Sequence, residues 1–372
     1  TEKTYAQGSG GKFSATSGTS WVPEISELPN DATYGGNTDN KYTQQYGKQQ
    51  GKYYVPQRAS AGLDPWVTPQ AYDNAKEFFD TGITWSNSLN VAQMLEKSSY
   101  SISLGNTHQD GIISSTGMDR YNVKVSADTK LTNNWSSGFT ANYITTSIDK
   151  AVTSGNGLLR TVYAAPPSYD LAGIPSHVDG NQYTQNSFRG SFDNAYWAMD
   201  NNKFTEDTNR FFGNVYASYQ TDFGTTNHKL NAKYMVGVDA YTTHYVDSYG
   251  YGSNTGGGRG QIENYGWTNA TYNSLLTINY DWHINEDWGL NAVLGNEIIQ
   301  SNRKKYYEYG TNYNFPGWNH INNATTQQTE EETWKNRTVG FFGNVSASYK
   351  NMLYLTLTGR QDYVSNMPRH NR

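Results

Sequence analysis

From about residue 83 onward the chain reads in twos. Between Phe341 and Lys350, the residues Phe341, Gly343, Val345, Ala347 and Tyr349 fall on one side, and Phe342, Asn344, Ser346, Ser348 and Lys350 on the other. Apart from Phe342, one side is apolar or small and the other polar. Successive side chains of a β-strand point to opposite faces, so this is a strand period. A helix would need apolar residues at i, i+3 and i+4, which the stretch does not supply. The phrase FFGNV also opens at Phe211, where Phe211, Gly213, Val215, Ala217 and Tyr219 make the apolar side. Each copy ends in a polar break followed by a second alternating run: Leu230, Ala232, Tyr234, Val236 and Val238 after the first, Leu353, Leu355 and Leu357 after the second. The same pattern predicts hairpins over 83–108, 119–148, 209–243, 270–302 and 338–365, with short turns near 96–98 and at 132–134, 222–227, 283–287 and 350–352. Segments 149–208, 248–268 and 303–336 keep no sustained period and are predicted as long loops. Residues 1–80 hold only short alternating pieces.

Short turn, long loop, short turn, long loop is the asymmetry of an outer-membrane barrel. Composition supports the same architecture. Of 372 residues only 35% are hydrophobic and 16% charged, yet 15% are aromatic, with 31 Tyr and 10 Trp. Disordered chains lack aromatics and carry high charge, so disorder is excluded. Leu, Ile and Val are too few for a large globular core. A transmembrane antiparallel β-barrel with a watery interior accounts for both facts, because half of each strand faces lipid and half faces water. Tyr and Trp then gather where the wall meets the headgroups. The fold class is all-β. Val123, Val125, Leu276, Ile278, Leu353, Leu355 and Leu357 are expected to face lipid, and Asn122, Lys124, Asp128, Asn231, Lys233 and Asn279 the lumen. No apolar run approaches the 18 residues of a transmembrane helix. A net charge of −5 and Trp scattered among acids argue against nucleic acid as a partner. Cysteine is absent, which excludes disulfides and thiolate metal sites.

Catalytic signals are missing. The Gly-rich run Gly250–Gln261 lacks the Gly-Lys-Ser/Thr ending of a phosphate loop and reads as a flexible exposed loop. The seven His never pair at metal-ligand spacing. The run Thr329–Trp334 offers three Glu to a cation, with a solvated loop as the plainer alternative. No GxSxG elbow occurs and no carboxylate pair is singled out for sugar hydrolysis. The chain is read as no enzyme, with no catalytic, cofactor or metal residues. Aromatics in or near the predicted loops are the candidates for contact: Tyr196, Trp197, Trp267, Trp318 and Trp334. Flat rings stack on sugars or pack on a partner protein; an interfacial belt or loop packing is the alternative.

Residues 78–91, FFDTGITWSNSLNV, and 100–138, YSISLGNTHQDGIISSTGMDRYNVKVSADTKLTNNWSSG, resemble the SusC/RagA family of TonB-dependent outer-membrane transporters. Residues 341–366 resemble its final hairpin motif, with Arg360, Asp362 and Ser365 matching the family's Arg, Asp and Ser. LPNDATYGG at 28–36 resembles its first barrel strands. The resemblance covers most of 75–150 and 205–365. AQMLEK at 92–97 replaces the usual Gly-Gly pair of the first hairpin, and the last motif ends in YVSN. The resemblance implies a bacterial outer-membrane barrel of about 22 strands, with about 12 in this chain. It also implies a SusD-like surface lipoprotein that lids the barrel, and energy coupling through a TonB-ExbB-ExbD complex that contacts a part of the protein outside this chain. The cargo would be an oligosaccharide or a peptide. Thr1 is no initiator Met and Arg372 directly follows a predicted strand. All of 1–372 is therefore expected to be an internal part of one barrel domain, with the plug and the last strands elsewhere. A passive porin and a surface glycan-binding or adhesin β-protein stand as alternatives.

Overall fold

The computed structural model describes residues 4–21, 23–152 and 157–367; Thr1 and Arg372 lie outside them. Ten strands form one sheet: β1 (Thr84–Met94), β2 (Ser98–Asp110), β3 (Gly117–Lys130), β4 (Trp135–Lys150), β5 (Lys203–Thr221), β6 (His228–Tyr249), β7 (Gln261–His283), β8 (Trp288–Tyr313), β9 (Ala324–Tyr349) and β10 (Leu353–Val364). Each pairs antiparallel with its neighbours in sequence, from β1 at one edge to β10 at the other. The sheet thus has ten strands rather than about twelve. The shortfall lies in residues 1–80, whose LPNDATYGG stretch closes a 3₁₀ turn, Ile25–Asn30, instead of making wall strands. Asp31 then accepts hydrogen bonds from Thr33 N and Tyr34 N at 2.9 and 2.8 Å, which bends the chain at once.

Cross-strand register aligns the apolar positions into one face. Leu104 sits opposite Val123, Val123 opposite Tyr143, and Tyr143 opposite Phe211. Val236 is opposite Val215, Leu276 opposite Tyr234, Leu294 opposite Ile278, and Val345 is flanked by Ala292 and Leu357. All seven residues expected to meet lipid lie on this outer face. The lumen candidates lie on the other. These apolar side chains are exposed, Leu357 to 66% and Leu294 to 63%. Two bands of aromatics bound the outer face. Near the short turns Trp135 contacts Tyr219 (4.9 Å), His228 stacks on Trp282 (5.7 Å) and Trp288 contacts Tyr349 (4.7 Å). Further along the same strands stand Tyr143, Phe211, Tyr272 and Phe341. The bands are separated by about eight to ten residues, close to what a tilted strand needs to cross a bilayer core. These are the two aromatic girdles of a membrane barrel.

Phe342, the one aromatic that broke the alternation, points to the polar inner face. Its ring covers Gly295 on the neighbouring strand, where an added Cβ would collide with it. The pair is reciprocal: glycine leaves the hole and phenylalanine fills it.

Strands β6 to β9 run far past the second girdle. β8 and β9 have 26 residues each, so the connections shrink to 250–260 and 314–323, and the loop between β4 and β5 to 151–202. The loops expected at 248–268 and 303–336 are therefore largely strand. Above the girdle both faces meet water, so alternation disappears although the hydrogen-bonded ladder continues.

The connections 111–116, 151–202, 250–260 and 314–323 leave one edge of the sheet, and those at 95–97, 131–134, 222–227, 284–287 and 350–352 leave the other. At the loop edge, residues before β1 and those between β4 and β5 form a cap. It contains α1 (Lys41–Tyr46), α2 (Pro56–Ser60), α3 (Asn74–Phe78), α4 (Leu158–Ala164) and α5 (Ala195–Asn201). Leu28, Tyr53, Phe78, Val162, Tyr169, Leu171, Phe188 and Trp197 share its core. Several buried polar groups there are paired, although the Tyr169 hydroxyl and the Trp66 Nε1 are buried without a hydrogen-bond partner among the described residues. Asn194 caps α5 by accepting from Tyr196 N (3.0 Å) and Trp197 N (3.3 Å), and donates to Asn186 O at 2.9 Å. Tyr53 donates to Ser168 O at 3.0 Å. Burial pushes the Tyr53 and Tyr169 phenols well above the ordinary tyrosine range, so both stay neutral at physiological pH.

Candidate functional site

The cap meets the sheet on its inner face. Lys150, Phe204 and Tyr249, at the loop ends of β4, β5 and β6, line a small cavity with Leu158, Ala198, Met199 and Asn202 of the cap. The inner surface of the strand extensions is thereby roofed at its upper edge.

That surface carries a platform of rings. Register places Tyr241, Thr243, Tyr245 and Asp247 of β6 beside Asn269, Trp267, Tyr265 and Glu263 of β7. Arg303, Lys305, Tyr307 and Tyr309 of β8 come next, followed by Trp334, Glu332, Glu330 and Gln328 of β9. Tyr245 and Tyr265 stack at 4.9 Å and 6°. Trp267 stands edge-on to both, at 5.8 and 6.0 Å, and Tyr307 lies 6.3 Å from Tyr265. Arg303 sits between two indoles, 5.3 Å from the Trp267 ring and 5.4 Å from the Trp334 ring. Lys150, at the loop end of β4, lies 4.8 Å over Tyr245. Tyr265 donates to Asp247 Oδ2 at 3.1 Å. The Trp267 Nε1 is buried without a hydrogen-bond partner among the described residues.

Lower on the same face lies a concavity of about 600 Å³ lined by Lys124, Asn142, Phe212, Gly237, Asp239 and Asn273. Arg210 closes its upper side with a bidentate pair to Asp239, 2.8 and 2.6 Å. A second chamber of about 600 Å³ lies between cap and sheet, lined by His177, Tyr183, Lys203, Tyr251 and Asn319.

The structure separates the five aromatic candidates. Trp267 and Trp334 are not in loops; they lie on β7 and β9 and meet through Arg303. Trp197 is 1% exposed in the cap core, where its Nε1 donates to Gln182 O, so it presents no ring to a ligand or partner. Tyr196 wedges edge-on against Phe78 at 5.3 Å, inside the cap. Only Trp318 occupies a loop and faces outward, stacked between Phe315 (5.9 Å) and His320 (5.0 Å). Of the motif residues, Arg360 and Asp362 come together on the inner face: Arg360 donates to Asp362 at 3.0 Å and to Glu297 at 2.8 Å. Ser365 stands apart and ties the end of β10 to β9 through reciprocal 2.8 Å bonds with the Arg337 backbone. Glu297 and Arg303 were not among the residues singled out from sequence. Both depend on register between strands, although alternate rings in Tyr265–Trp267 were a local signal.

Two other expectations change. The Gly-rich run is not a free loop. Asp193 of the cap accepts from Asn254 N and Nδ2, each at 2.8 Å, and from Ser253 Oγ. The three Glu of 330–332 lie on a strand, with Glu330 and Glu332 inward and Glu331 outward beside Lys304 (3.3 Å), so they cannot converge on one ion. Among the described residues no cluster of three metal-ligating side chains occurs.

No family model matches the chain. It is 23% identical over 320 residues to the TonB-dependent receptor P3 of Formosa agariphila, covering 82% of this chain and 30% of that protein. Its fold matches the structure of the RagAB peptide transporter with a TM-score of 0.64 at 15% identity, over 81% of this chain and 34% of the other. The closed-closed state of the RagAB peptide importer matches at 0.64 and 16% identity, over 82% and 34%. The chain spans about a third of the length of these relatives. They are receptors and transporters rather than enzymes, in agreement with the sequence reading, and the ten-strand sheet is the wall of an outer-membrane β-barrel.

Proposed function

We propose that this wall, which has the fold of a SusC/RagA-type TonB-dependent transporter barrel, serves energised import of an oligosaccharide or peptide across the bacterial outer membrane. The observation that carries the reading is the two-faced sheet: an apolar outer face between aromatic girdles, and an inner face of rings, amides and charges under a folded cap. In this reading β1 and β10 pair with further wall strands, because an open sheet edge leaves backbone groups unsatisfied in lipid. A plug elsewhere in the protein gates the lumen, and the loop edge faces the cell exterior. A SusD-like lipoprotein covers that edge, with Trp318 as an anchor, since outward-facing apolar rings mark contact surfaces.

The test is uptake of labelled oligosaccharides and peptides by cells carrying the full-length protein. An uncoupler that collapses the proton gradient should abolish uptake; undiminished uptake would mean a passive porin. Trp318→Ala should weaken co-purification of the lipoprotein, by about 2 kcal/mol if the ring is a central anchor. A full-length protein that stays soluble without detergent would favour the surface-adhesin reading instead.

A further inference from the structure

We infer that Arg303, held between Trp267 and Trp334, is the charge-reading point of a subsite for an acidic oligosaccharide, one whose sugars carry a carboxylate or a sulfate ester. The inference rests on the importer reading and adds the class of cargo.

Arg303 and Arg120 differ from the other arginines of the sheet, and of these two only Arg303 stands beside aromatic rings among the described residues. Arg210 is paired with Asp239, Arg337 with Gln300, and Arg360 with Glu297 and Asp362. Among the described residues Arg303 has ring neighbours and no hydrogen bond or ion pair, and it is exposed. The charged groups around it have other neighbours. Glu206 is 3.4 Å from Lys150, Asp247 accepts from Tyr265, Lys305 stands opposite Glu332, and Glu330 stands opposite Tyr307. The indoles sit beside the guanidinium without consuming its N–H donors. A planar fork fixed in this way suits the paired oxygens of a carboxylate or sulfate.

The rest of the face favours sugar over peptide. On β6 to β9 above Tyr241 the inner residues are aromatic, hydroxyl, amide or charged, with no Leu, Ile, Val or Met. Such a surface gives aliphatic peptide side chains nothing to fill. It suits an oligosaccharide, one pyranose of which stacks its C–H face on a ring while the hydroxyls of neighbouring units reach Asn269 and Thr243, two and three strands away. Trp334, 45% exposed, offers the ring.

The experiment uses the full-length transporter purified with any partner that accompanies it. Calorimetry would measure binding of four probes: an oligogalacturonate tetrasaccharide, its carboxyl-reduced neutral counterpart, a sulfated galactan tetrasaccharide and an acidic tetrapeptide. At least one anionic sugar should bind, and Arg303→Gln should weaken it by about tenfold or more, as expected for hydrogen bonds to a charged group. The neutral sugar should be unaffected. Arg303→Lys should fall between, because it keeps the charge and loses the fork. Which anionic sugar responds separates carboxylate from sulfate. Equal affinities in wild type and Arg303→Gln, equal loss for the neutral sugar, or a response confined to the peptide would each overturn the inference. Uptake insensitive to an uncoupler would sink the importer reading alone, since the charge preference is read in binding.

Discussion

The wall and the cap use the same apolar residue types with opposite outcomes. In the wall, Leu355 and Leu357 are 62% and 66% exposed; in the cap, Leu171 and Phe188 are 1% and 0% exposed. The difference follows from solvent. The cap must remove its side chains from water to recover the entropy lost in ordering two segments far apart in sequence. The wall leaves them outward because lipid is as apolar as they are, and its backbone is satisfied strand by strand. Exposure of a leucine therefore marks a defect in one region and the working surface in the other.

The sharpest way to break this comparison is to open the cap. Phe188→Ala should cost about 3–5 kcal/mol, as for other fully buried aromatics. The loss should be confined to the cap. Hydrogen exchange should speed at α5, where Ala198 N donates to Asn194 O, while β6 and β7 amides keep their protection. Equal deprotection of the wall would mean that the two regions fold as one unit.

The second perturbation is directed at the wall. Leu276→Arg, midway between the girdles on the outer face, should cost about 2–4 kcal/mol in unfolding from lipid vesicles. Thr277→Arg, its neighbour in sequence, points into the lumen and should cost far less. Similar losses for both would overturn the assignment of faces.

The two regions also differ in what sequence reveals. The band between the girdles was legible because lipid on one side and water on the other write a period of two into consecutive residues. Above the girdle water lies on both sides, so Tyr241–Tyr249 and Gln261–Asn269 lose the period though they remain strand. The cap left no local trace. Its contacts join residues such as Gln7 and Ser168, whose backbone N and hydroxyl meet at 3.1 Å across 161 positions. The site fell between these cases. Trp267 and Trp334 were visible as aromatics, but their meeting at Arg303 needs the register of three strands joined by one short turn and one loop. Trp197 shows the converse error: an aromatic in an irregular stretch looked available, and long-range packing had buried it.

The smallest effect probes the junction of the two regions. Asp193 belongs to the cap, and its carboxylate receives Gln185 Nε2 from the cap and Ser253 and Asn254 from the loop between β6 and β7. Gly256, Gly257, Gly258 and Gly260 in that loop all have positive φ, so the segment has little intrinsic preference for one shape. One acceptor thus substitutes for the missing side-chain packing. Asp193→Ala removes it and leaves the Ser253 hydroxyl, buried at 0% exposure, without that acceptor. The expected cost is about 1–3 kcal/mol, read as faster limited proteolysis within 250–260, with the cap core and the outer wall unchanged. Asp193→Asn keeps an acceptor oxygen and should fall between. If Asp193→Ala leaves cleavage at the wild-type rate, the loop is ordered without that carboxylate, by its own turns and by its other bonds to the cap, Gln185 Nε2 to Gly252 O and Gly250 N to Asn202 Oδ1.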